Sequence, residues 1–127
     1  MIVVDTSVAI AALTGRRSAR DALVDQRLVA PAHIDAEVAH VLRGLVLGRK
    51  LGESQASAML AVWGRLSVDR VPLPPLLARI WELHSNLTAY DAAFVAAAES
   101  QGIPLVTSDR RLANAVGPRC VMHLIPE

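Results

Sequence analysis

Short apolar runs are separated by longer stretches with helical spacing along the whole chain. Runs of this kind, bounded by polar or turn-forming residues, are typical of buried strands in an α/β protein. They predict five strands, at Ile2–Val4, residues 28–30, Val68–Val71, residues 105–106 and residues 121–124.

Between the runs, apolar residues recur every three or four positions, which is the period of an amphipathic helix. Ile34, Val38 and Leu42 share one face in this way, and Gly48 ends the pattern. Similar patterns predict helices at residues 7–13, 17–24, 56–66, 76–83, 88–100 and 109–116. Strands that alternate with helices predict an α/β fold of three layers, with a central, mostly parallel sheet covered by helices on both faces.

Length and composition favour a single globular domain over residues 1–127. The chain is 53% hydrophobic and carries a net charge of +1, so it is neither disordered nor strongly basic. Its single cysteine, Cys120, excludes an internal disulfide and fits a reducing cytoplasm. No apolar run reaches the roughly 18 residues of a membrane span.

Arginine dominates the basic residues and occurs in pairs. Arg16–Arg17 and Arg110–Arg111 are candidates for contacts with nucleic-acid phosphates, and a solvated surface is the alternative for either pair. Aromatic residues make up only 3% of the chain, which argues against an extended base-stacking platform of the single-strand-binding kind.

Four acidic residues follow or open the predicted elements. Asp5 and Asp109 come directly after strands, Asp91 lies at the start of a helix, and Glu37 lies in the first turns of another. In open parallel sheets, ligands bind in the crevice beyond the carboxyl ends of the strands, where Asp5 and Asp109 are expected. Clustered carboxylates repel one another, and their oxygens are ligands that suit Mg²⁺ or Mn²⁺.

Each acid also has a structural interpretation. Asp5 and Asp109 are in position to cap the helices that follow them, and the spacing of Thr88 and Asp91 is typical of a capping box. Glu37 lies at one border of the apolar face of its helix. Asp35 lies at the opposite border, and periodicity alone does not choose between these two acids.

Four segments of the chain resemble, in order, the motifs of PIN-domain ribonucleases, and more narrowly those of VapC toxins from bacterial type II toxin–antitoxin pairs. They are IVVDTS at residues 2–7, HIDAEV at 33–38, NLTAYDAAF at 86–94 and LVTSDRRL at 105–112. This resemblance implies that Glu37, and not Asp35, belongs with Asp5, Asp91 and Asp109 in an acidic quartet. It also implies a PIN-like fold.

The resemblance further implies an endoribonuclease that depends on Mg²⁺ or Mn²⁺. Asp5 and Asp91 are expected to bind the metal directly, while Glu37 and Asp109 complete the shell, bind a second ion or orient water. Ser7 and Thr107 are expected to act as polar supports. The implied partners are RNA, a cognate antitoxin and a second copy of the chain, in the bacterial cytoplasm and without a membrane.

Two other classes of function also fit parts of the sequence. A phosphotransfer domain of the haloacid dehalogenase or receiver kind also places an aspartate after its first strand. The former expects a second aspartate two residues later, where this chain has Ser7, and the latter expects a lysine near the end, whereas Lys50 is the only lysine. A non-catalytic scaffold that binds RNA or a protein is the third class.

Overall fold

Five strands form one parallel sheet in the computed structural model, which describes residues 1–126. The strands are β1 (Ile2–Val4), β2 (Leu28–Pro31), β3 (Val68–Val71), β4 (Leu105–Thr107) and β5 (Met122–Leu124). Their order across the sheet is β3-β2-β1-β4-β5, and all four neighbouring pairs are parallel. The parallel α/β fold predicted from the sequence is therefore confirmed.

Helices connect and flank the strands. In the described part of the chain they are α1 (Thr6–Leu13), α2 (Arg17–Leu23), α3 (Ile34–Leu47), α4 (Glu53–Arg65), α5 (Leu77–Glu82), α6 (Ala89–Gln101) and α7 (Arg110–Ala113). Helix α1 contacts α2, α3 and α4, whereas α5 contacts α6. None of the helices within residues 1–126 has the length and apolarity needed to cross a membrane.

Several predicted helices begin or end differently in the structure, and the helix expected at residues 56–66 begins three residues earlier, at Glu53. The helix expected at residues 76–83 starts as a 3₁₀ turn at Pro74–Leu76 and becomes α-helical only at Leu77. The helix expected at residues 109–116 ends at Ala113, where Asn114 takes the C-cap position. Asparagine competes for backbone hydrogen bonds and favours helix ends over helix interiors, which accounts for the early end.

Helix α6 is the most deeply buried helix of the fold. Residues 92–98 are all buried, and five of the seven are alanine, so the helix can approach β1, β2 and β4 closely. Gly102 ends α6 in the left-handed conformation, with φ of 65°. Because α6 begins with Ala89, this packing fixes where Asp91 lies relative to the strand ends.

The chain reverses its direction across the sheet at the junction of β1 and β4. From β1 it proceeds outward to β2 and β3, and from β4 it proceeds the other way to β5. Such a switch point opens a crevice between the carboxyl ends of the two central strands. Asp5 directly follows β1 and Asp109 follows β4 by two residues, so both lie at this crevice.

Asp35 joins three elements on the side of α3 that faces α4. Its carboxylate accepts hydrogen bonds from Trp63 Nε1 and from Arg70 Nε and Nη2, each 2.8 Å long. The Arg70 guanidinium holds the pKa of Asp35 below its ordinary value of 3.8, with a further contribution from Trp63 and despite partial burial. Asp35 therefore links α3 to α4 and β3.

We expect Asp35→Ala to lower the free energy of unfolding by about 2 kcal/mol, because the buried Trp63 N–H loses its acceptor. A carboxyl whose pKa is depressed by folding stabilises the protein above its unfolded pKa and loses that contribution on acidification. The difference in free energy of unfolding between wild type and Asp35→Ala should therefore become smaller as the pH falls below 3.8. Urea unfolding at several pH values measures it.

Asp69→Ala is the matched control, because Asp69 pairs with Arg27 at an exposed position. Exposed ion pairs contribute about 0–1 kcal/mol. An Asp35→Ala protein as stable as Asp69→Ala would contradict the linking role of Asp35.

Candidate active site

Asp5 is a buried carboxylate at the junction of β1 and β4, with only 5% of its surface exposed. Its Oδ1 accepts hydrogen bonds from Ser7 Oγ at 2.6 Å and from the backbone N–H of Val8 at 3.0 Å. Its Oδ2 accepts one from Thr107 Oγ1. Burial raises the pKa of Asp5 and the nearby charge of Asp91 adds to the rise, although these three hydrogen bonds oppose it.

The hydroxyls of Ser7 and Thr107 connect the two strand ends. Ser7 Oγ donates to Asp5 and accepts from the backbone N–H of Ser108 at 3.1 Å. Thr107 Oγ1 donates to Asp5 and accepts from the backbone N–H of Asp109 at 2.9 Å. Each hydroxyl thus bonds on both sides, and the position of the Asp5 carboxylate is fixed by both strands.

Glu37 enters the crevice from α3. Its Oε1 accepts a hydrogen bond of 2.7 Å from Thr6 Oγ1, and His33 Nε2 lies 3.4 Å from the same oxygen. Burial acts to raise the pKa of Glu37, but the proximity of His33 and the hydrogen bond from Thr6 outweigh it, so the pKa lies below its ordinary value of 4.5. Glu37 is therefore held as a carboxylate toward α1, whereas Asp35 faces α4.

Asp91 interacts electrostatically with each of the other three acids. It is half-buried in the first turn of α6, and burial raises its pKa above 3.8, assisted by the charges of Asp109 and Glu37. The charge of Arg111 and a hydrogen bond from Thr88 oppose this rise. Because Asp91 also raises the pKa of Asp5, the four acids form one interacting set.

Asp109 caps α7 and lies beside an arginine. Its Oδ1 accepts from the backbone N–H of Arg111 at 2.9 Å, and Arg111 Nε lies 3.8 Å from the same oxygen. Arg110 and Arg111 are exposed in the first turn of α7. This arginine pair borders the acids at the crevice.

The other arginine pair lies away from the acids. Arg16 and Arg17 are exposed at the junction of α1 and α2. Helix α1 begins beside Asp5 and has eight residues, a length of about 12 Å. The pair is therefore separated from the crevice by the length of α1.

The capping interpretation holds for Asp5 and Asp109, and it does not conflict with the site interpretation. Asp5 and Asp109 both cap helices through their side chains, as the sequence predicts. At the start of α6 the cap is Thr88, whose Oγ1 accepts from the backbone N–H of Asp91 at 3.2 Å. These bonds fix the acids in place without removing their charge.

The four acids lie around one crevice, but they do not form a compact cluster of metal ligands. Among residues 1–126, no three side chains of His, Cys, Asp or Glu are close enough to ligate a single ion together. Mg²⁺ commonly uses one or two carboxylates and keeps several waters, so a site for it does not require three such side chains around one ion. Asp5 has the capacity to bind it, because a carboxylate offers about four lone-pair positions and hydrogen bonds occupy three here.

Sequence reasoning missed two contacts of Glu37. Thr6 lies within the first motif and His33 within the second, and neither is assigned a role from the sequence. The spacing of four residues between His33 and Glu37 is the signal for their contact, since such residues are neighbours on a helix. The contact of Thr6 depends on how α1 packs against α3 and has no local signal.

Comparison with known proteins gives consistent matches over nearly the whole chain. Residues 2–117 match the family model described as the PIN domain. Ribonuclease VapC9 of Mycobacterium tuberculosis is 42% identical to this chain over 126 residues, covering 99% of each protein.

Solved structures agree with this match. VapBC2 from Rickettsia felis, bound to a DNA fragment from the promoter, has a TM-score of 0.74 at 14% identity, covering 98% of this chain and 99% of that one. At this identity the likeness concerns the fold. VapBC-5 from Mycobacterium tuberculosis, a member of the VapBC family of toxin–antitoxin systems, has a TM-score of 0.61 at 25% identity, covering 98% and 97%.

We expect Asp91→Asn to stabilise the protein in the presence of a chelator at pH 7, by about 0.5–2 kcal/mol, because Glu37 and Asp109 no longer repel a charge at this position. A carboxyl whose pKa is raised by folding costs stability as the pH rises above its unfolded value. The higher stability of Asp91→Asn relative to wild type should therefore be absent below pH 3.8. Thermal and urea unfolding across this pH range measure it.

Added Mg²⁺ provides the second arm of this test. Wild-type protein should gain thermal stability by mass action, and Asp91→Asn should gain much less. Asp21→Asn, at an exposed position on α2, is the control and should respond like wild type. A loss of stability of up to about 1 kcal/mol in Asp91→Asn, with an undiminished response to Mg²⁺, would show that the Asp91 charge serves only to stabilise the N-terminus of α6.

Proposed function

This chain belongs to the PIN-domain family and, within it, to the VapC ribonucleases, and on that premise we propose that it is a metal-dependent endoribonuclease acting as the toxin of a toxin–antitoxin pair. The observation that carries the proposal is the buried carboxylate of Asp5. Hydrogen bonds from Ser7 and Thr107 fix it at the switch point, and it interacts electrostatically with Asp91. An anionic site of this kind, kept at a cost in stability, calls for a cationic ligand.

Asp5 and Asp91 are the proposed direct ligands of Mg²⁺, with Mn²⁺ as the alternative ion. Both have pKa values raised by burial and by neighbouring carboxylates, and a cation would relieve that repulsion. When bound, the metal lowers the pKa of a coordinated water and neutralises charge that develops on the phosphate. Glu37 and Asp109 complete the shell, hold a second ion or orient water.

Each of the remaining site residues has a defined task in this proposal. Ser7 and Thr107 keep the Asp5 carboxylate oriented, and Thr6 does the same for Glu37. Preorganised carboxylates need no rearrangement when the phosphate arrives, which favours the reaction. Asp91 keeps its backbone fixed through the bond to Thr88.

Arg110 and Arg111 are the proposed contacts for RNA phosphates close to the cleaved bond. They are exposed at the start of α7, next to Asp109, and a guanidinium matches the oxygens of a phosphate. Arg16 and Arg17 lie at the other end of α1, so any phosphate that they bind belongs to a more distant part of the RNA.

Phosphotransfer and scaffold functions receive no support from the comparisons. A second aspartate, as in haloacid dehalogenases, is replaced by Ser7, whose hydroxyl is a hydrogen-bond donor to Asp5. Intact, mutually repelling acids also argue against a non-catalytic scaffold.

The antitoxin is the proposed protein partner, in line with the VapBC systems that share this fold. A groove of about 640 Å³ lies between α1, α2 and α4 and fits the apolar face of an antitoxin helix. Leu13, Leu23, Met59 and Val62 are among its lining residues. We further propose that a basic antitoxin side chain pairs with the acids and blocks metal or phosphate entry.

Two further expectations from the resemblance also stand as proposals. A homodimer in solution would be seen by light scattering. Residues 1–127 are treated as one domain that acts in the bacterial cytoplasm, where the single Cys120 would stay reduced.

We expect Asp5→Asn and Asp91→Asn to lose nearly all Mg²⁺-dependent cleavage of RNA while keeping native-like circular dichroism, because the shape is retained and the ligand charge is lost. Glu37→Gln and Asp109→Asn should also be strongly impaired. Cleavage of total RNA, followed by mapping of the ends, measures these effects.

Asp21→Asn is the matched control for charge, since it removes one carboxylate from an exposed site on α2 and should retain full cleavage. Full activity in purified Asp5→Asn would contradict the metal assignment.

We expect Val62→Glu to weaken binding of the antitoxin by more than tenfold without loss of cleavage, because it places a charge in the groove. Val41→Glu, at a similarly exposed position on α3 outside the groove, should leave binding unchanged. Calorimetry with the purified antitoxin measures both.

Replacing the basic antitoxin residue by alanine should restore cleavage more than it weakens the complex, if the groove provides most of the affinity. A complex with the antitoxin bound wholly away from the crevice would refute this mode of inhibition, without affecting the nuclease assignment.

A further inference from the structure

Tyr90 is an exposed aromatic residue beside the acids. The chain has four aromatic residues, of which Trp63 and Phe94 are buried and Trp81 and Tyr90 are 70% and 64% exposed. Of the two exposed rings, only Tyr90 is adjacent in sequence to an acid of the site. A large ring left in solvent at a catalytic crevice suggests a ligand that covers it.

The Tyr90 ring belongs to a row of packed rings that begins in the core. Phe94 lies one turn after Tyr90 on α6, and the ring of His33 lies 4.9 Å from that of Phe94 and 6.1 Å from that of Tyr90, between centroids. Both distances are typical of interacting aromatic pairs. The buried Phe94 thus supports His33, and His33 supports Tyr90.

His33 also relates this row to the acids. Its Nε2 lies 3.4 Å from Glu37 Oε1, and neither ring nitrogen makes a hydrogen bond among residues 1–126. Ring packing and the contact with Glu37 therefore determine the position of the imidazole. His33 lies between the Tyr90 ring and Glu37 and contacts both. Tyr90 and Asp91 are neighbours on α6, so the helix backbone fixes their relative position.

We propose that Tyr90 stacks on an unpaired RNA base next to the phosphate that is cleaved at the crevice, so that it positions the nucleotide at the cleaved bond. This inference rests on the proposed ribonuclease function. A base is joined to its phosphate through a single ribose, so a ring one residue from Asp91 lies within the reach of one nucleotide. Unpaired bases in RNA loops are commonly recognised by stacking on aromatic side chains.

One ring is sufficient for this task. The low aromatic content excludes an extended platform for many bases, yet an endonuclease needs only the nucleotide at the cleaved bond to be held rigidly. The Tyr90 ring can stack on any of the four RNA bases, because each base has a flat aromatic face. Its substrate class is therefore RNA that is single-stranded at the cleavage site.

The first measurement is the steady-state cleavage of a fluorogenic single-stranded oligoribonucleotide of mixed sequence, with Mg²⁺. Tyr90→Ala should raise KM about tenfold, as expected for loss of one stacked base, with a smaller change in kcat. Tyr90→Phe keeps the ring and should remain within about twofold of wild type. Trp81→Ala, which removes an equally exposed ring stacked on His84, should also remain within that range.

The second measurement is a double-mutant cycle between the ring and the base. A series of RNAs carries one abasic nucleotide at each position around the cleaved bond. At the stacked position, the abasic RNA should lower kcat/KM of wild type about tenfold and that of Tyr90→Ala by less than threefold, because the alanine variant has no ring to lose contact with.

Equal abasic penalties in wild type and Tyr90→Ala at every position would overturn the proposal. Unchanged RNA kinetics in Tyr90→Ala, combined with weaker binding of the antitoxin, would also overturn it and assign the ring to the inhibitor.

Failure of the proposed ribonuclease function has a different signature. Wild type would then cleave no RNA with Mg²⁺ or Mn²⁺. Base stacking is in that case tested by fluorescence anisotropy of the same RNAs with Ca²⁺, another oxygen-preferring cation. Equal affinity of wild type and Tyr90→Ala for the RNAs would overturn the stacking claim, and weaker binding by Tyr90→Ala that the abasic nucleotide abolishes would support it.

Discussion

The hydrogen bond from Thr107 to Asp5 crosses the junction of β1 and β4, and the geometry of the site depends on it. Residue 5 follows one central strand and residue 107 ends the other, so the parallel register of the two strands sets the distance between their side chains. Ser7 makes the equivalent connection to Ser108. The same pairing that completes the sheet therefore orients the carboxylate at the crevice.

Capping by the acids stabilises the fold, whereas their burial and mutual repulsion destabilise it. Asp5 and Asp109 stabilise the helices that they cap, whereas burial and neighbouring charge raise the pKa values of Asp5 and Asp91 and so penalise their charged forms. Caps let the fold retain carboxylates in a crevice where repulsion alone would disfavour them. This arrangement accounts for a site that is preformed before any cation binds.

Residues whose positions follow from strand ends could be predicted from the sequence. Asp5 and Asp109 were expected at one edge because the apolar runs before them define parallel strands, and both lie there. Periodicity does not choose between Asp35 and Glu37, and among sequence arguments only the resemblance favours Glu37. In the structure α4 and β3 contact Asp35, while α1 contacts Glu37 through Thr6. Such contacts between elements depend on packing angles that the hydrophobic pattern does not encode, and the exposure of Tyr90 belongs to the same class.

The proposed function requires that Asp5 and Asp91 together hold a divalent metal ion at the switch point of the sheet. Anomalous diffraction from crystals grown with Mn²⁺ tests it directly, because the ion is located without reference to activity. We expect an anomalous peak within ligand distance, about 2.0–2.3 Å, of a carboxylate oxygen of Asp5 and of Asp91. A fully occupied Mn²⁺ site elsewhere on the protein, with no peak at this crevice, would contradict it.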